Sequence, residues 1–317
     1  MRCGVCSNVL ENSRFVTREM MFGLKDEFSY FECANCGCIQ IENIPNDFSR
    51  FYPDSYYSFS HLAIDSPLQH YFISRRAAHL RGERTIVGRL YSRLRPAPAV
   101  PDWLARTRVD CTDAILEIGC GLGHRLVDLS YCGFNNLSGI DPFLKRDVRY
   151  RNGITLLKQN VEMTQGTYDF VMLHHTLEHM PNQSEVFHHL HRLLRPGKLV
   201  LIRIPVAGCF AWQKYREHWV QLDPPRHLFL HTSQSLAFIA KQTGFAVEQV
   251  IYDSTGFQFW GSEQYKKGIP LIPADAIKLQ PMDGLFCDAE LREFETQAQE
   301  LNKIGQGDQA CFYLRRI

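Results

Sequence analysis

From Ala114 to Tyr252 short apolar runs alternate with stretches whose apolar residues recur at helical spacing. Ala114-Ile115-Leu116-Glu117-Ile118 reads as a buried strand, and Leu122, Leu126 and Leu129 fall three to four residues apart just after it. Further strands are expected over residues 136–141, 154–157, 168–173 and 198–205. Ahead of the last of these, Asn182-Gln183-Ser184-Glu185 forms a capping box. Val186, Phe187, Leu190, Leu193 and Leu194 make the buried stripe of the helix it opens, which Pro196-Gly197 ends. A helix over 233–243 stops at Gly244, and a strand over 245–252 follows. Alternation of this kind predicts an α/β fold, a parallel sheet with helices on both faces.

On either side of this stretch the pattern changes. Residues 1–45 are cysteine-rich and lack helical periodicity. Residues 46–110 open on Phe51-Tyr52-Pro53-Asp54-Ser55-Tyr56-Tyr57-Ser58-Phe59, continue as an arginine-rich helical segment, and break at Pro96-Ala97-Pro98-Ala99-Val100-Pro101. Residues 207–232 read as a lid and 253–306 as an insertion with a helical end at 288–302, before a last strand over 310–317. The expected organisation is a small module (1–45), a connector (46–110) and an α/β domain (111–317).

The glycine run Glu117-Ile118-Gly119-Cys120-Gly121-Leu122-Gly123 lies between a buried strand and a helix. Glycines let the backbone turn tightly and approach a ligand, and the helix N-terminus adds unpaired N–H groups. In open α/β sheets, cofactors bind at such a loop. The dinucleotide fingerprint is excluded: counted from Gly119 its third glycine slot holds His124, and counted from Gly121 it holds Leu126. Asp141, 18 residues after Gly123, ends the next strand, where a carboxylate can accept from both ribose hydroxyls.

The acidic-x-G-x-G-x-G spacing resembles motif I of the class I (Rossmann-like) S-adenosylmethionine-dependent methyltransferases. Tyr168-Asp169-Phe170-Val171, Leu177-Glu178-His179-Met180-Pro181-Asn182 and Leu193-Leu194-Arg195-Pro196-Gly197-Lys198-Leu199 are similar to the type 11/23 methyltransferases, with Lys198 in place of a second glycine. The resemblance covers about 114–252. It implies S-adenosylmethionine as cofactor, with Glu117, Gly119, Cys120, Gly121 and Gly123 at its methionine portion, joined by His174. Asp141 and Pro142 would stand at the ribose, and Asn160, Val161 and Glu162 at the adenine.

The lysine-plus-arginine count of 35 against 34 acids gives a net charge of +1, which argues against a dedicated nucleic-acid binder. No apolar run is long enough to span a bilayer, and Met1-Arg2-Cys3-Gly4 lacks the stretch of a signal peptide, so a cytoplasmic protein is expected. In that setting the 11 cysteines, five of them within the first 38 residues, point to metal rather than disulfides. Cys3-x-x-Cys6 and Cys33-x-x-Cys36 form two knuckles able to direct four thiolates at one structural Zn2+ as a zinc-ribbon-like module, with Cys38 a substitute ligand or bystander.

This module, a tyrosine-rich stretch and a methyltransferase core together resemble the sugar C-methyltransferases of deoxysugar and polysaccharide pathways. The resemblance implies a small-molecule acceptor, a sugar or nucleotide-linked sugar, and a tyrosine closing over cofactor and substrate, for which Tyr57 or Tyr56 is the match. That family carries a Tyr-His-Glu-His run in the lid. His227 matches its last histidine, while Pro224, Pro225 and Arg226 replace the rest, so C- and O-methylation both stay open. Proton removal near neutral pH suits a histidine, and His227 and His179 are the candidates for a general base. His175-Thr176-Leu177-Glu178-His179 spells H-x-x-E-H, but it follows a strand and stops at Pro181, so it is not read as a protease zinc site.

Two alternatives accompany this reading: O-methylation of a lipid or other small molecule, and a non-catalytic cofactor sensor whose zinc ribbon binds RNA or protein. Between Arg75 and Arg108 nine arginines face only Glu83 and Asp102, a solvated helix face or a contact for an anionic substrate or a membrane surface.

Overall fold

The computed structural model describes residues 1–52, 67–80, 82–96, 98–272 and 280–317. The chain begins with strands β1 (Ser13–Arg18), β2 (Glu27–Glu32) and β3 (Ile39–Ile41), then helices α1 (Pro67–Leu80), α2 (Ile86–Leu94) and α3 (Asp102–Ala105). The alternating part follows as β4 (Ile115–Ile118), α4 (His124–Tyr131), β5 (Leu137–Ile140), β6 (Val148–Arg149), β7 (Thr155–Leu157), β8 (Tyr168–His174), α5 (Gln183–Leu193) and β9 (Leu194–Pro205). Then come α6 (Phe210–Tyr215), β10 (Phe229–Leu230), α7 (Ser233–Gln242), β11 (Phe245–Tyr252), α8 (Phe257–Lys266), α9 (Asp288–Lys303) and β12 (Gln309–Arg316).

Eight strands form one sheet in the order β11-β12-β9-β8-β4-β5-β7-β6. β4 runs parallel to β5 and β8, and β5 to β7, so the expected parallel arrangement holds at the centre of the sheet, while β6 pairs antiparallel with β7 at its edge. The strand order reverses between β4 and β8, which makes the C-terminal end of β4 the switch point where such sheets take ligands. Ile115, Leu116 and Ile118 of β4 and Phe170–Leu173 of β8 are buried, as strands covered on both faces must be.

Local chemistry explains most boundaries. Leu122 falls outside the helix expected to hold it, because Gly123 caps α4 in the left-handed conformation (φ 76°). Thr232 accepts from the Ser235 backbone and Ser235 caps in return, starting α7. The 207–232 stretch is more ordered than a simple lid: it carries α6, three-residue 3-10 turns and β10. β10 pairs antiparallel with β3 to complete a second sheet, β1-β2-β3-β10. No helix among the described residues is long and apolar enough to cross a membrane.

Contacts gather into two compact units. One holds the N-terminal residues through position 52, His174–His188 and Ile202–Leu314, and the other runs from residue 67 to Leu173 and adds His189–Leu201 and Arg315–Ile317. In the first unit the strands that follow and flank the cysteine knuckles share a single core with the lid and the insertion. Tyr30, Ile39 and Ile41 pack with Trp212, Trp219, Leu222, Leu230, Phe259 and Leu301. Its polar counterpart is a buried ionic hub. Arg226 Nη2 donates to Glu19 Oε1 at 2.8 Å and its Nε to Asp223 Oδ2 at 2.9 Å, while Phe51 O accepts from Nη1 at 3.3 Å. Burial disfavours the Arg226 charge, but Asp223 and Glu19 outweigh it and hold the guanidinium firmly protonated.

Candidate active site

In the second unit β4 delivers the chain into the glycine loop, where Gly119, Gly121 and Gly123 have φ of 73°, 51° and 76°. Side chains rarely tolerate that region, so the sequence folds here as a tight turn only because these positions are glycine. Glu117, at the penultimate position of β4, is fully buried. Its Oε1 accepts from Arg125 Nη1 at 3.2 Å, and its Oε2 has no hydrogen-bond partner. Burial raises this carboxyl to about 7 against the pull of Arg125.

Asp141 follows β5 and accepts from the Gly121 and Phe143 N–H groups at 2.9 Å each. Burial lifts its pKa, and those two hydrogen bonds oppose the rise. Cys120 is buried, and a Cβ on Gly139 would lie 2.6 Å from its sulfur, so this thiol packs on β5. Pro142 is exposed, Val161 is buried in a 3-10 turn (Val161–Met163), and Asn160 and Glu162 flank it exposed. β4, β5 and β7 run parallel, so their ends place the glycine loop, Asp141 and Asn160 on one edge of the sheet.

The first unit holds the candidate histidines His174, His179 and His227. His174 closes β8 and is buried. A 3-10 turn (Leu177–His179) then carries Glu178 and His179. His231 and Gln183 brace this turn: Gln183 donates to the Leu177 and Met180 carbonyls, and its Oε1 lies 3.0 Å from His231 Nε2. The His179 and His227 rings sit edge to face with centroids 4.8 Å apart. His179 Nδ1 lies 2.8 Å from Arg226 O, and His227 Nδ1 lies 2.7 Å from Gln221 O. A carbonyl only accepts, so both rings carry their proton on Nδ1 and keep a lone pair on Nε2. Burial and the neighbouring His227 lower the His179 pKa.

Glu178 is the residue that sequence reasoning missed. It is fully buried, and neither carboxylate oxygen has a hydrogen-bond partner. His175 Nδ1 stands 3.4 Å from its Oε1. Burial would raise this carboxyl, but His175, His179 and His227 hold it down to about 2. Glu178, His179 and His227 offer ligand atoms within 4.8 Å of one another, a set that could also hold a metal ion. His175 is not in that set; its Nε2 accepts from Arg203 Nη1 at 2.9 Å. The structure brings two other tyrosines here: the Tyr52 hydroxyl lies 3.3 Å from His179 Nδ1, and the Tyr30 hydroxyl donates to His227 O at 2.8 Å. Tyr56 and Tyr57 lie outside the described residues.

The four thiols of Cys3, Cys6, Cys33 and Cys36 also meet, all within 4.8 Å. Cys3 and Cys36 sulfurs are 3.7 Å apart and those of Cys6 and Cys33 are 3.5 Å apart. Four thiolates at tetrahedral Zn–S distances of ~2.3 Å would stand ~3.8 Å apart, so the set fits one zinc. Cys38 is outside it, buried, with its sulfur directed to Ile39 O.

A family model described as a methyltransferase domain matches residues 79–250, more than half of the chain. The chain belongs to the methyltransferase family. This methyltransferase is similar in structure to an S-adenosylmethionine-dependent methyltransferase from Mesorhizobium loti, at 15% identity and a TM-score of 0.40, over 65% of this chain and 91% of that one. It is also similar to a mycolic acid cyclopropane synthase solved with SAH, at 14% identity and 0.45, over 84% and 100%. A third is a sarcosine dimethylglycine methyltransferase homologue from Galdieria sulphuraria, at 15% and 0.41, over 77% and 97%. No curated protein matches the chain.

As an S-adenosylmethionine-dependent methyltransferase, the chain must accommodate a cationic, amino-acid-bearing nucleoside. The buried, unpaired Glu117 oxygen beside a loop of left-handed glycines fits such a group, because a cation would satisfy an oxygen the protein leaves without a donor.

Proposed function

We propose that this methyltransferase acts on a small acceptor, a sugar or nucleotide-linked sugar, and that His227 serves as general base with His179 beside it. In this reading Glu117 and the Gly119–Gly123 loop, Cys120 included, hold the methionine end of the donor, with His174 on the same side. Each Asp141 oxygen accepts one backbone N–H and keeps a second lone pair, which is what ribose hydroxyls would use. Pro142 adjoins the ribose, Asn160, Val161 and Glu162 border the adenine, and Tyr57 or Tyr56 closes over both ligands. Cys3, Cys6, Cys33 and Cys36 hold a structural zinc with no open coordination position.

S-adenosylmethionine supplies a methyl group on a sulfonium, whose carbon–sulfur electron pair stays with the leaving thioether. The protein's share is to position the acceptor and take its proton. The observation that carries the base assignment is the pair of imidazoles locked by backbone carbonyls through Nδ1, which leaves the Nε2 lone pairs to accept, that of His227 standing 3.9 Å from Asp223 Oδ2. A proton arriving at Nε2 makes an imidazolium, and the ionised Glu178 alongside stabilises it.

The test is S-adenosylhomocysteine release from the purified protein against a panel of nucleotide sugars, free sugars and lipid alcohols. Turnover with a nucleotide sugar that His227→Ala slows while sparing donor binding supports the proposal. Turnover only with a lipid alcohol replaces the acceptor, and an unchanged rate in His227→Ala removes the base. Gly121→Arg should abolish donor binding with the fold retained.

A further inference from the structure

The arginine-rich segment is not used by any step above. In the second unit α1 and α2 form a tightly crossed pair: a Cβ on Gly88 would lie 2.0 Å from the Arg75 carbonyl oxygen. Phe72 stacks on Tyr91 at 5.3 Å, and the Arg76 guanidinium lies 5.7 Å over the same ring. These contacts fix which side of α2 is buried. The other side presents Ile86, Leu90 and Leu94, one helical turn apart and 88%, 58% and 71% exposed. Such large aliphatics in a row on a helix face need an apolar partner to be stable out of water.

The polar residues on that side restrict the partner. Arg89 and Arg93 each precede one of the leucines and are exposed, as are Arg75, Arg84 and Arg95 nearby. Glu83 is the one acid among the described residues of 67–96. Two copies of this face would bring like charges together, so self-association is disfavoured. An anionic bilayer surface complements both features. Aliphatic side chains enter the acyl boundary while long arginines carry their charge back to the headgroup phosphates.

We propose that α2 docks this methyltransferase on an anionic membrane surface through Ile86, Leu90 and Leu94, with Arg89 and Arg93 on headgroup phosphates. The proposal does not depend on the acceptor or the base argued above. It is tested by flotation of the full-length protein with phosphatidylglycerol vesicles against pure phosphatidylcholine vesicles. The protein should float with the first and not the second, and added salt should weaken the binding. Leu90→Glu and the pair Arg89→Glu, Arg93→Glu should each reduce binding more than about tenfold, with circular dichroism unchanged because all three positions are exposed. Ile86→Ala, which adds no charge, should weaken it less.

No uptake by phosphatidylglycerol vesicles overturns the proposal, as does equal uptake by neutral vesicles. Uptake untouched by all of these variants places the contact elsewhere and overturns it too. A wild-type dimer that Leu90→Glu dissociates, without vesicle binding, shows instead that the face joins two copies.

Discussion

Glu19→Gln should destabilise the first unit by about 3 kcal/mol, although it changes neither the size nor the shape of the side chain. Glu19 Oε1 accepts from Arg226 Nη2 at 2.8 Å and from Phe22 N at 3.0 Å, and Oε2 accepts from Leu24 N at 2.9 Å. An amide has one acceptor oxygen, so either orientation turns its NH2 toward at least one of these donors. The substitution also leaves Arg226, fully buried, with only Asp223 to balance it. A charge-assisted hydrogen bond is worth about 1.5–3 kcal/mol and an orphaned buried donor costs about 1–3 kcal/mol, which sets the total. Trp212 and Trp219 are buried in the same unit and report its unfolding by fluorescence. With a urea slope of about 2–3 kcal/mol/M the midpoint should fall by about 1–1.5 M. Arg18→Gln, which breaks the exposed Arg18–Glu27 pair, is the control and should move it by less than about 0.3 M. A Glu19→Gln shift no larger than the control would refute the hub as a source of stability.

Four further outcomes follow from the sites. The purified protein should hold one zinc per chain by metal analysis, and Cys33→Ser should lose it together with cooperative unfolding of the first unit; two zincs would place the second at Glu178, His179 and His227. His227→Ala should lower the turnover rate about a hundredfold or more with donor affinity kept, read by separate binding and rate assays. Glu117 has a folded pKa raised from 4.5 to about 7, so its contribution to stability is present below about 4.5 and fades as the pH rises to about 7. Donor binding at pH 6 should therefore release a proton, seen as a buffer-dependent calorimetric heat that Glu117→Gln abolishes; no buffer dependence would detach Glu117 from the donor. Glu178 runs the other way: its pKa is held at about 2, so its contribution is present above 4.5 and is lost as the pH falls toward 2. Glu178→Gln should flatten acid unfolding in that window.

The sequence displays some of this directly and conceals the rest for physical reasons. Leu126 and Leu129 sit at helical spacing, and both are buried on α4. The glycine loop is visible because only glycine accepts its φ values, and the four zinc-capable cysteines because C-x-x-C pairs are rare. α8 was hidden in the insertion because Gln258, Ser262 and Gln264 occupy its buried side, which masks the apolar stripe. Glu178 could have been noticed as an acid set between His175 and His179, but its burial depends on neighbours distant in sequence. Glu19 carried no signal at all, since its partner lies 207 residues away. Nor did the cysteine region announce that its core is completed by Trp212, Trp219 and Leu230.

The pairing of β3 with β10 has a consequence for how the chain is made. Gln40 and Ile39 pair with Phe229 and Leu230, so the sheet that β1 to β3 begin lacks its last strand until the lid has been synthesised. At about 5–20 residues per second that interval is about 10–40 s. Throughout it β3 presents a bare edge of the kind that recruits other strands. An early zinc would hold the knuckles, but only the later arrival of β10 can close the edge, so a sheet begun by β1 to β3 is finished by the lid.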